Sequence, residues 1–483
     1  MVSLVNKDKS VSAPLTSFTL EPLCVPHLRS YMPEKDAQCP NARESGEKDY
    51  VNYIADEDYI LADIVKKPSA QDDTEAAPQF FQRPSASHVC RAFLRAGPRR
   101  STFFDRKFCK AAVVTCGGLC PGLNDVIYHL TLALRTLYGV KEVLGIRGGW
   151  WGFYDGTPPL PLTMHSVDGI QHKGGTVLGA ARGGFEPDKI LSAIQSMGVN
   201  LVFIIGGDGT HRGALKLHNM AASMKLPISF VGIPKTIDND VDIIDRSFGF
   251  ESAVEEARKA IKCAKTEAQC APNGVGIVKL MGRHAGFIAV FATLASSDVD
   301  LVLIPELPLD VDPKSPFNCL NHVKNVVEKK GHAVVVVAEG AGADVLLSAV
   351  QSQQGHKTTA DGKQPELPPI GEWIKEKLTV YLKESGIAAT VKYIDPSYMI
   401  RSVPANAADS VYCLLLAQNA VHGAMAGYSG FSPGLSNNRV VFLPIETLVA
   451  KSPIGVNPYG RTIERILGIT KQPMPKLRRP SST

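Results

Sequence analysis

One glycine-rich stretch of this sequence has the residues that a phosphate-binding turn requires. It is Gly206-Gly-Asp-Gly-Thr-His-Arg-Gly213, which follows an apolar run at 201–205 and leads into a helical pattern. Glycines lack a Cβ atom, so the backbone can approach an anion, and the helix N-terminus adds free N–H groups and a favourable dipole. Asp208 stands at the tip of the turn, where a Mg²⁺ ion could bridge its carboxylate to the phosphate. An ordinary strand-to-helix turn also uses such glycines, so this stretch alone leaves both interpretations open.

A second stretch, Pro234-Lys-Thr-Ile-Asp-Asn-Asp240, follows another apolar run, at 228–233. A kinase that acts on an alcohol needs a carboxylate near the hydroxyl, to accept its proton as the new O–P bond forms. Asp238 and Asp240 are candidates for this work, and Thr236 stands on the same short loop. Carboxylates beside a phosphate-binding turn indicate phosphoryl transfer more strongly than either stretch does alone.

Both stretches follow strands in a chain that alternates between strands and helices. The predicted strands are continuously apolar, which is typical of parallel sheets covered by helices on both faces. The connections are expected to be right-handed βαβ units, so the sheets should be doubly wound, with ligands at the carboxyl ends of the strands. The predicted strands are 111–115, 143–146, 201–205, 228–233, 275–280, 301–304, 333–338, 391–394 and 440–443. The predicted helices are 125–138, 252–266, 285–295, 316–330, 370–384 and 406–425, the last capped by Asn406 and ended by Gly427.

Composition excludes several other classes of protein. The net charge of +5 on 483 residues is modest, whereas nucleic-acid-binding surfaces are strongly basic, so no nucleic-acid partner is expected. No apolar run reaches the roughly 18 residues of a membrane span, so no membrane partner is expected. The ten cysteines are too sparse for a disulfide framework and lack the paired spacing of a zinc site. The N-terminus lacks a secretory signal, so we expect a cytoplasmic protein, with a plastid location as the alternative.

Three regions depart from the alternating pattern. Residues 1–105 are rich in Pro, Ser, Asp and Glu, and we expect an extension with short elements at 59–65 and 89–94, partly ordered by packing on the body. A basic cluster in and after this extension consists of Arg95, Arg99, Arg100 and Arg106. We expect the cluster to be a solvated surface, with a site for an effector phosphate as the alternative. Residues 348–369 are predicted to be a surface loop, and the chain past about residue 460 a loose tail.

Five motifs, in this order, resemble those of the 6-phosphofructokinase family. They are TCGGLCPGLN at 115–124, GGDGT at 206–210, PKTIDND at 234–240, KLMGR at 279–283 and KYIDPSYMIR at 392–401. The last is similar to the long-chain ATP-dependent form of plants and protists. The resemblance runs from about residue 95 to 445, nearly three-quarters of the chain. It implies a glycolytic, allosteric kinase that phosphorylates the 1-hydroxyl of fructose 6-phosphate with ATP and Mg²⁺, as a homo-oligomer that is generally a tetramer.

The resemblance also implies a role for each matching residue. The catalytic base falls on Asp238, and the catalytic group also includes Thr236, Asp240 and Arg283. The ATP-binding group is Gly118, Arg182, Gly207, Asp208, Gly209, Thr210 and Gly213, of which Asp208 is also the metal-associated carboxylate. The sugar-phosphate group is Thr236, Asp238, Met281, Gly282, Arg283, Glu339, Lys392, Tyr398 and Arg401, of which the last three clamp the 6-phosphate.

The fold that the resemblance implies is α/β, with two doubly wound Rossmann-like domains, parallel-rich sheets and an N-terminal extension. The nucleotide-binding domain is expected at 106–250 with 401–445. The sugar-phosphate-binding domain is expected at 251–400 with 446–483, which includes the C-terminal tail. The active site should lie in the cleft between the two domains.

Four positions bear on the phosphoryl donor. Leu119 replaces an acid of the shorter bacterial relatives, and the arginine that those relatives lend across a subunit interface falls near Gly274 and is missing. Lys235 replaces a glycine of ATP-using bacterial relatives, and lysine there is usual in the pyrophosphate-using branch. That branch carries Asp where this chain has Gly209, and a carboxylate there would repel the α-phosphate of a nucleotide. Gly209 therefore favours ATP, while a pyrophosphate-dependent enzyme and a non-catalytic regulatory subunit are the alternatives.

Overall fold

The computed structural model describes residues 19–32, 39–40, 53–62, 89–351 and 367–474, in which the chain forms sixteen strands and twelve α-helices. The strands are β1 (Thr19–Leu23), β2 (Cys39–Pro40), β3 (Tyr59–Leu61), β4 (Val89–Arg95), β5 (Ser101–Thr102), β6 (Lys110–Thr115), β7 (Glu142–Ile146), β8 (Leu160–Pro161), β9 (Leu201–Gly206), β10 (Ser229–Pro234), β11 (Gly274–Leu280), β12 (Leu301–Leu303), β13 (His332–Ala338), β14 (Val391–Ile394), β15 (Phe431–Ser436) and β16 (Arg439–Pro444). The helices are α1 (Leu123–Leu132), α2 (Pro187–Ser196), α3 (Asp208–Ser223), α4 (Phe250–Gln269), α5 (Phe287–Ser296), α6 (Cys319–Lys330), α7 (Ala343–Gln351), α8 (Ile370–Glu384), α9 (Ser397–Arg401), α10 (Ala407–Ala426), α11 (Ile445–Ala450) and α12 (Arg461–Thr470). None of the helices in these ranges has the length and apolar character of a membrane span.

The larger sheet has ten strands in the order β1-β4-β16-β15-β10-β9-β6-β7-β8, with β3 paired to β4. Its centre is parallel, because β7, β6, β9, β10 and β15 pair in the same direction. Every residue of β9 and β10 is buried, as the continuously apolar pattern predicts for strands covered on both faces. The register pairs Pro234 with Gly206 and Thr115 with Ile205. The carboxyl ends of β6, β9 and β10 therefore meet at one edge of the sheet.

The smaller sheet has four parallel strands in the order β12-β13-β11-β14. Leu280 at the end of β11 pairs with Ala338 at the end of β13. The segments that follow these two strands begin side by side, which brings the KLMGR motif next to Glu339. This pairing positions the sugar-side residues of the predicted site.

Helices cover both faces of each sheet, which confirms the doubly wound prediction. In the larger sheet, Val113 and Phe203 pack with α1 and α10 on one face, while Val114 and Val202 pack with α2 and α3 on the other. In the smaller sheet, one face packs against α4, α5 and α12, and the opposite face packs against α6 and α8. Alternation of neighbouring strand residues between the two faces produces these separate cores.

The N-terminal region contributes three strands to the larger sheet, since β1, β3 and β4 extend its edge. The described parts of the extension are therefore ordered by packing on the body, as expected. The prediction of a solvated arginine cluster is wrong for Arg99, which is 5% exposed. Its Nε donates to Asp56 Oδ1 at 2.7 Å, and its guanidinium lies over the rings of Tyr428 and Phe442 at 5.6 and 5.5 Å. Asp56, 43 residues earlier in the chain, compensates the buried charge of Arg99.

The prediction of a loose tail past residue 460 is wrong for the residues that the structure describes there. Helix α12 packs Ile463 and Ile466 into the smaller sheet's core, at 2% and 0% exposure. The Gln472 side chain accepts from Val302 N at 2.8 Å and donates to Val302 O at 3.1 Å. The apolar residues of α12 recur at helical spacing and form its packed face. The region is polar and basic overall, so its composition alone does not indicate a packed helix.

Other differences from the sequence prediction are local. The loop predicted at 348–369 starts later, because α7 continues to Gln351, and residues 352–366 lie outside the described part of the chain. The pattern analysis also missed α2 and β15. Strand β15 has Pro433 and Gly434 at its centre, and these residue types predict a turn rather than a strand.

Candidate active site

The phosphate-binding turn has the strand-to-helix geometry that its glycines predict. β9 ends at Gly206, and α3 begins at Asp208 with Gly207 as its N-cap. A Cβ built on Gly206 would lie 2.5 Å from the Thr210 side chain, so the turn folds tightly onto its own helix. A Cβ built on Gly209 would meet no described atom within 4 Å. The helix N-terminus is therefore open towards solvent at Gly209, as an approaching phosphate chain requires.

Two cationic side chains lie beside the first glycine loop. Gly117 N donates to Ala181 O at 2.9 Å, which ties this loop to the segment that carries Arg182. A Cβ built on Gly118 would lie 3.9 Å from Arg182 Nη2. Lys235 Nζ donates to Gly118 O at 2.9 Å, and burial lowers the pKa of this lysine. The loop therefore presents backbone and cationic groups on the same side as the phosphate-binding turn.

The loop after β10 holds the candidate general base. Thr236 Oγ1 donates to Asp240 Oδ1 at 2.6 Å and accepts from Asp238 N at 3.3 Å. Asn239 between the two acids has φ of 56°, and its Oδ1 accepts from Ser247 N at 2.7 Å, which fixes this sharp turn. Asp238 Oδ1 is buried and has no hydrogen-bond partner among the described residues. This oxygen is available to accept a proton from a bound substrate.

The charges around Asp238 suit a proton acceptor near neutral pH. Burial, together with the carboxylates of Asp240 and Glu339, raises the pKa of Asp238 to about 7, against the opposing charge of Lys235. Glu339 directly follows β13 of the smaller sheet and Asp240 lies in the loop after β10 of the larger sheet, so acids from both sides of the site act on Asp238. A general base works best when its pKa lies close to the working pH.

Asp208 is the second carboxylate with a perturbed pKa. Burial and the charge of Asp240 raise the pKa of Asp208 to about 6, and the guanidinium of Arg212 opposes this. Asp208 at the N-terminus of α3 and Asp240 in the loop after β10 repel each other, and such a pair of acids fits a divalent cation. Mg²⁺ is usually bound through one or two carboxylates together with substrate phosphates. Among the described residues, no cluster of three or more His, Cys, Asp or Glu side chains could hold a metal.

The sugar-side segments form a close backbone junction. Glu339 N donates to Leu280 O at 2.9 Å, and Gly340 N donates to Gly282 O at 3.1 Å. Gly282 has φ of 130°, and a Cβ there would lie 2.5 Å from Ala285 O, so only glycine fits this turn. Met281 is buried in the smaller sheet's core. The junction brings Met281, Gly282 and Glu339 together and carries Arg283 directly after them.

The three residues predicted to clamp the 6-phosphate do not all lie together. Tyr398 and Arg401 share the short helix α9, where the Arg401 guanidinium stacks over the Tyr398 ring at 4.7 Å and that ring is 74% exposed. Lys392 lies on β14 and forms an ion pair with Glu267. In the sheet register Lys392 pairs with Gly276, four residues before the end of β11. At ~3.3 Å per residue, its backbone lies about 13 Å from the edge where Leu280 ends.

Three residues near the site were missed or left without a role by the sequence analysis. Arg212 donates to Val449 O at 3.0 Å and faces Asp208. His211 is buried, its Nδ1 pairs with Gly207 O at 3.1 Å, and burial lowers its pKa to about 4, so it packs beneath the turn as a neutral ring. Glu306 receives two backbone N–H groups from distant segments. Arg212 stands four residues after Asp208, on the same helix face, and this spacing could have predicted their interaction. No sequence pattern predicts the role of Glu306.

Comparison with known proteins agrees with this geometry. The family model described as "Phosphofructokinase" matches residues 110–424. The chain belongs to the phosphofructokinase family. Relatives with high identity extend over most of this phosphofructokinase chain: "ATP-dependent 6-phosphofructokinase 7" of Arabidopsis thaliana is 41% identical over 97% of this chain and 91% of its own. "ATP-dependent 6-phosphofructokinase" of Amycolatopsis methanolica is 43% identical over 87% of this chain and 89% of its own.

A solved structure agrees with the phosphofructokinase fold. A pyrophosphate-dependent phosphofructokinase from Marinobacter aquaeolei aligns with a TM-score of 0.62 over 78% of this chain and 94% of that one. Its sequence is 19% identical, so the alignment supports the two-sheet architecture and carries no information on the phosphoryl donor.

Proposed function

We propose that this chain transfers the γ-phosphoryl group of ATP to the 1-hydroxyl of fructose 6-phosphate, as an ATP-dependent 6-phosphofructokinase of glycolysis. The observation that carries the proposal is the buried, unpartnered Oδ1 of Asp238 in the described site, on a carboxylate whose pKa is raised to about 7. It lies in a loop next to the phosphate-binding turn and faces Glu339 on the sugar side. A proton acceptor between a donor site and an acceptor site is what phosphoryl transfer to an alcohol needs.

In the proposed reaction, O1 of the sugar bonds to the γ-phosphorus, and the bond from that phosphorus to the β–γ bridging oxygen breaks. ADP leaves with the electron pair of that bond, and the O1 proton passes to Asp238 Oδ1. Lys235, which is hydrogen-bonded to Gly118 O, and Arg182, which lies beside Gly118, compensate the charge on the donor phosphates. Asp208 and Asp240 would hold Mg²⁺, which would neutralise phosphate charge when bound. Thr236 keeps Asp240 oriented through their 2.6 Å hydrogen bond.

On the acceptor side, we propose that the junction around Gly282 and Gly340 binds the sugar. Glu339 accepts hydrogen bonds from sugar hydroxyls, and Met281 and Gly282 shape the wall beside them. Arg283 compensates charge that develops during transfer. Tyr398 and Arg401, which are stacked together on α9, hold the 6-phosphate with a hydroxyl and a guanidinium. Lys392 is outside this proposed clamp, because its ion pair with Glu267 lies well before the carboxyl edge of the sheet.

Gly209 supports ATP over pyrophosphate as the donor. The space beside it is free of described atoms within 4 Å of a built Cβ, which leaves room for the α-phosphate of a nucleotide. The ATP-binding group then comprises Gly207, Gly209, Thr210 and Gly213 on the turn together with Gly118, Arg182 and Asp208. The names of the relatives with 41% and 43% identity agree with this donor.

The remaining parts of the proposal concern the assembly and its setting. We propose that residues 106–250 with 401–445 bind the nucleotide and 251–400 with 446–483 bind the sugar phosphate. The separate cores on the two sheets support this division. We further propose a cytoplasmic homotetramer under allosteric control, which sedimentation and effector titrations would test.

The deciding experiment is a comparison of donors with the purified chain. Fructose 1,6-bisphosphate formation is measured at saturating fructose 6-phosphate and Mg²⁺, with either ATP or pyrophosphate. We expect turnover with ATP and a rate at least tenfold lower with pyrophosphate. Turnover with pyrophosphate alone would replace our proposal with the pyrophosphate-dependent reaction. Absence of turnover with both donors would favour a regulatory subunit.

A further inference from the structure

A partly buried carboxylate outside the catalytic loops links the two halves of the site. Glu306 follows β12 at the carboxyl edge of the smaller sheet. Its Oε1 accepts from Gly286 N at 2.9 Å and from Val456 N at 2.6 Å. These two amides belong to segments 170 residues apart in the chain, so one oxygen atom fastens them together.

Each fastened segment leads directly to a proposed functional loop. Gly286 ends the turn that begins at Met281 and contains Arg283, and it is the N-cap of α5. Val456 ends the segment 452–456, in which Ile454 N donates to Asp240 O at 2.7 Å. Earlier in that segment, Ser452 Oγ accepts from Asp242 N at 3.1 Å. Glu306 therefore bonds directly to the sugar-side turn at Gly286. It connects to the loop that carries Asp238 through the segment 452–456, which is itself hydrogen-bonded to that loop.

The surroundings leave room for this carboxylate and for little else. A Cβ on Gly286 would lie 2.5 Å from the Ile304 side chain and 3.0 Å from Glu306 Oε2, and a Cβ on Gly455 would lie 3.1 Å from Glu306 Cγ. Oε2 is buried and has no hydrogen-bond partner among the described residues. Val456 itself is 3% exposed and packs in the same core as Met281. The partial positive charge at the N-terminus of α5 also stabilises the negative charge on Oε1 of Glu306.

We propose that Glu306 is a positioning residue for phosphoryl transfer, which fixes the turn carrying Arg283 relative to the loop carrying Asp238. The inference rests on the proposed function. Glu306 does not touch the reacting atoms; it acts through the amides of Gly286 and Val456. A displacement of about 1 Å between a reacting group and its base can lower the rate about 100-fold. The loss should therefore appear in kcat and in kcat/KM for fructose 6-phosphate more than in KM for ATP.

The test compares three variants of the full chain. Glu306→Ala removes both hydrogen bonds, and Glu306→Gln keeps an oxygen that can accept them. Asp300→Ala is the matched control, since Asp300 is 5% exposed, accepts from Val334 N at 3.0 Å, and precedes the opposite end of β12. Steady-state kinetics are measured well below each melting temperature, together with hydrogen exchange of peptides covering 236–242, 283–290 and 452–458.

We expect Glu306→Ala to lose about 10- to 100-fold in kcat and to accelerate exchange in all three peptides. Glu306→Gln should stay within about threefold of the wild type, and Asp300→Ala should lower the melting temperature with kcat within about twofold. Unchanged kcat in Glu306→Ala, or a Glu306→Gln variant as slow as Glu306→Ala, would overturn the inference. Failure of the wild type to phosphorylate fructose 6-phosphate would refute the proposed function instead. In that event unchanged exchange at 236–242 in Glu306→Ala would still refute the positioning role.

Discussion

Replacement of Gly209 by aspartate tests how the phosphate-binding turn selects its donor. Gly209 is the second residue of α3 and is exposed, and its built Cβ meets no described atom within 4 Å. Its φ is not among the positive values found in the described chain, so a side chain introduces neither a clash nor backbone strain. Any effect of Gly209→Asp on catalysis therefore reports the new charge. Gly209→Asn, which has nearly the same size and no charge, is the matched control.

The size of the effect follows from electrostatics at the helix N-terminus. A carboxylate about 6 Å from the charge of an α-phosphate costs about 3 kcal/mol at an effective dielectric constant near 20. Because the position is exposed and screened by salt, about half of that should remain. The expected rise in KM for ATP is then roughly tenfold. KM for fructose 6-phosphate should change less than about threefold, since the sugar binds on the other side of the cleft.

The assay is initial-rate kinetics with ATP as the varied substrate at several salt concentrations. The increase in KM for ATP caused by Gly209→Asp should shrink as salt rises, and Gly209→Asn should remain within about threefold of the wild type. An unchanged KM for ATP in Gly209→Asp would refute the placement of the α-phosphate. An equal increase in Gly209→Asn would show that bulk, rather than charge, governs this position.

Three further predictions concern the base and the two chain ends. Because burial and the charge of Asp240 raise the pKa of Asp238 to about 7 and the base acts in its ionised form, kcat/KM should rise with pH through about 7. Asp240→Asn should move that limb to lower pH in rate profiles, and an unmoved limb would contradict the assignment. Arg99→Ala leaves Asp56 without its 2.7 Å ion pair and should lower the free energy of unfolding by about 1–3 kcal/mol in urea titrations, against less than about 0.5 kcal/mol for the exposed control Arg439→Ala. Ile466→Ala should lower the free energy of unfolding by about 2–4 kcal/mol by the same method. Ile469→Ala, at a 37% exposed position of the same helix, should lower it by less than half as much. Equal losses would refute the packing of α12.

The sequence predicted the central strands and the donor-side turns because each has a local cause. Strand β9 was expected at 201–205 and runs Leu201–Gly206, since a short unbroken apolar run that ends in glycines is typical of a strand buried on both faces. Helix α10 starts after Asn406, whose Oδ1 accepts from Asp409 N at 3.0 Å, and ends at Gly427 with φ of 100°. Both ends follow from side-chain and backbone chemistry within a few residues.

What the sequence could not predict depends on distant partners. The burial of Arg99 requires Asp56 and Tyr428, and no spacing rule relates the three positions. Lys392 stands close to Tyr398 in its motif, yet the start of β14 points that residue towards Glu267 on α4. Glu306 gains its two amide donors only when two segments 170 residues apart come together beside the smaller sheet. The raised pKa of Asp238 likewise depends on its burial in the folded chain and, to a smaller extent, on the charges of Asp240 and Glu339, of which Glu339 follows a strand of the other sheet.

The most direct test of the account is the rate of Asp238→Asn with ATP, fructose 6-phosphate and Mg²⁺. This change keeps the size of the side chain and removes the proton acceptor. We predict that kcat falls by about 10²- to 10⁴-fold, while the melting temperature and the dissociation constant for ATP stay close to those of the wild type. A variant that keeps kcat within tenfold of the wild type would contradict the assignment of Asp238 as the catalytic base.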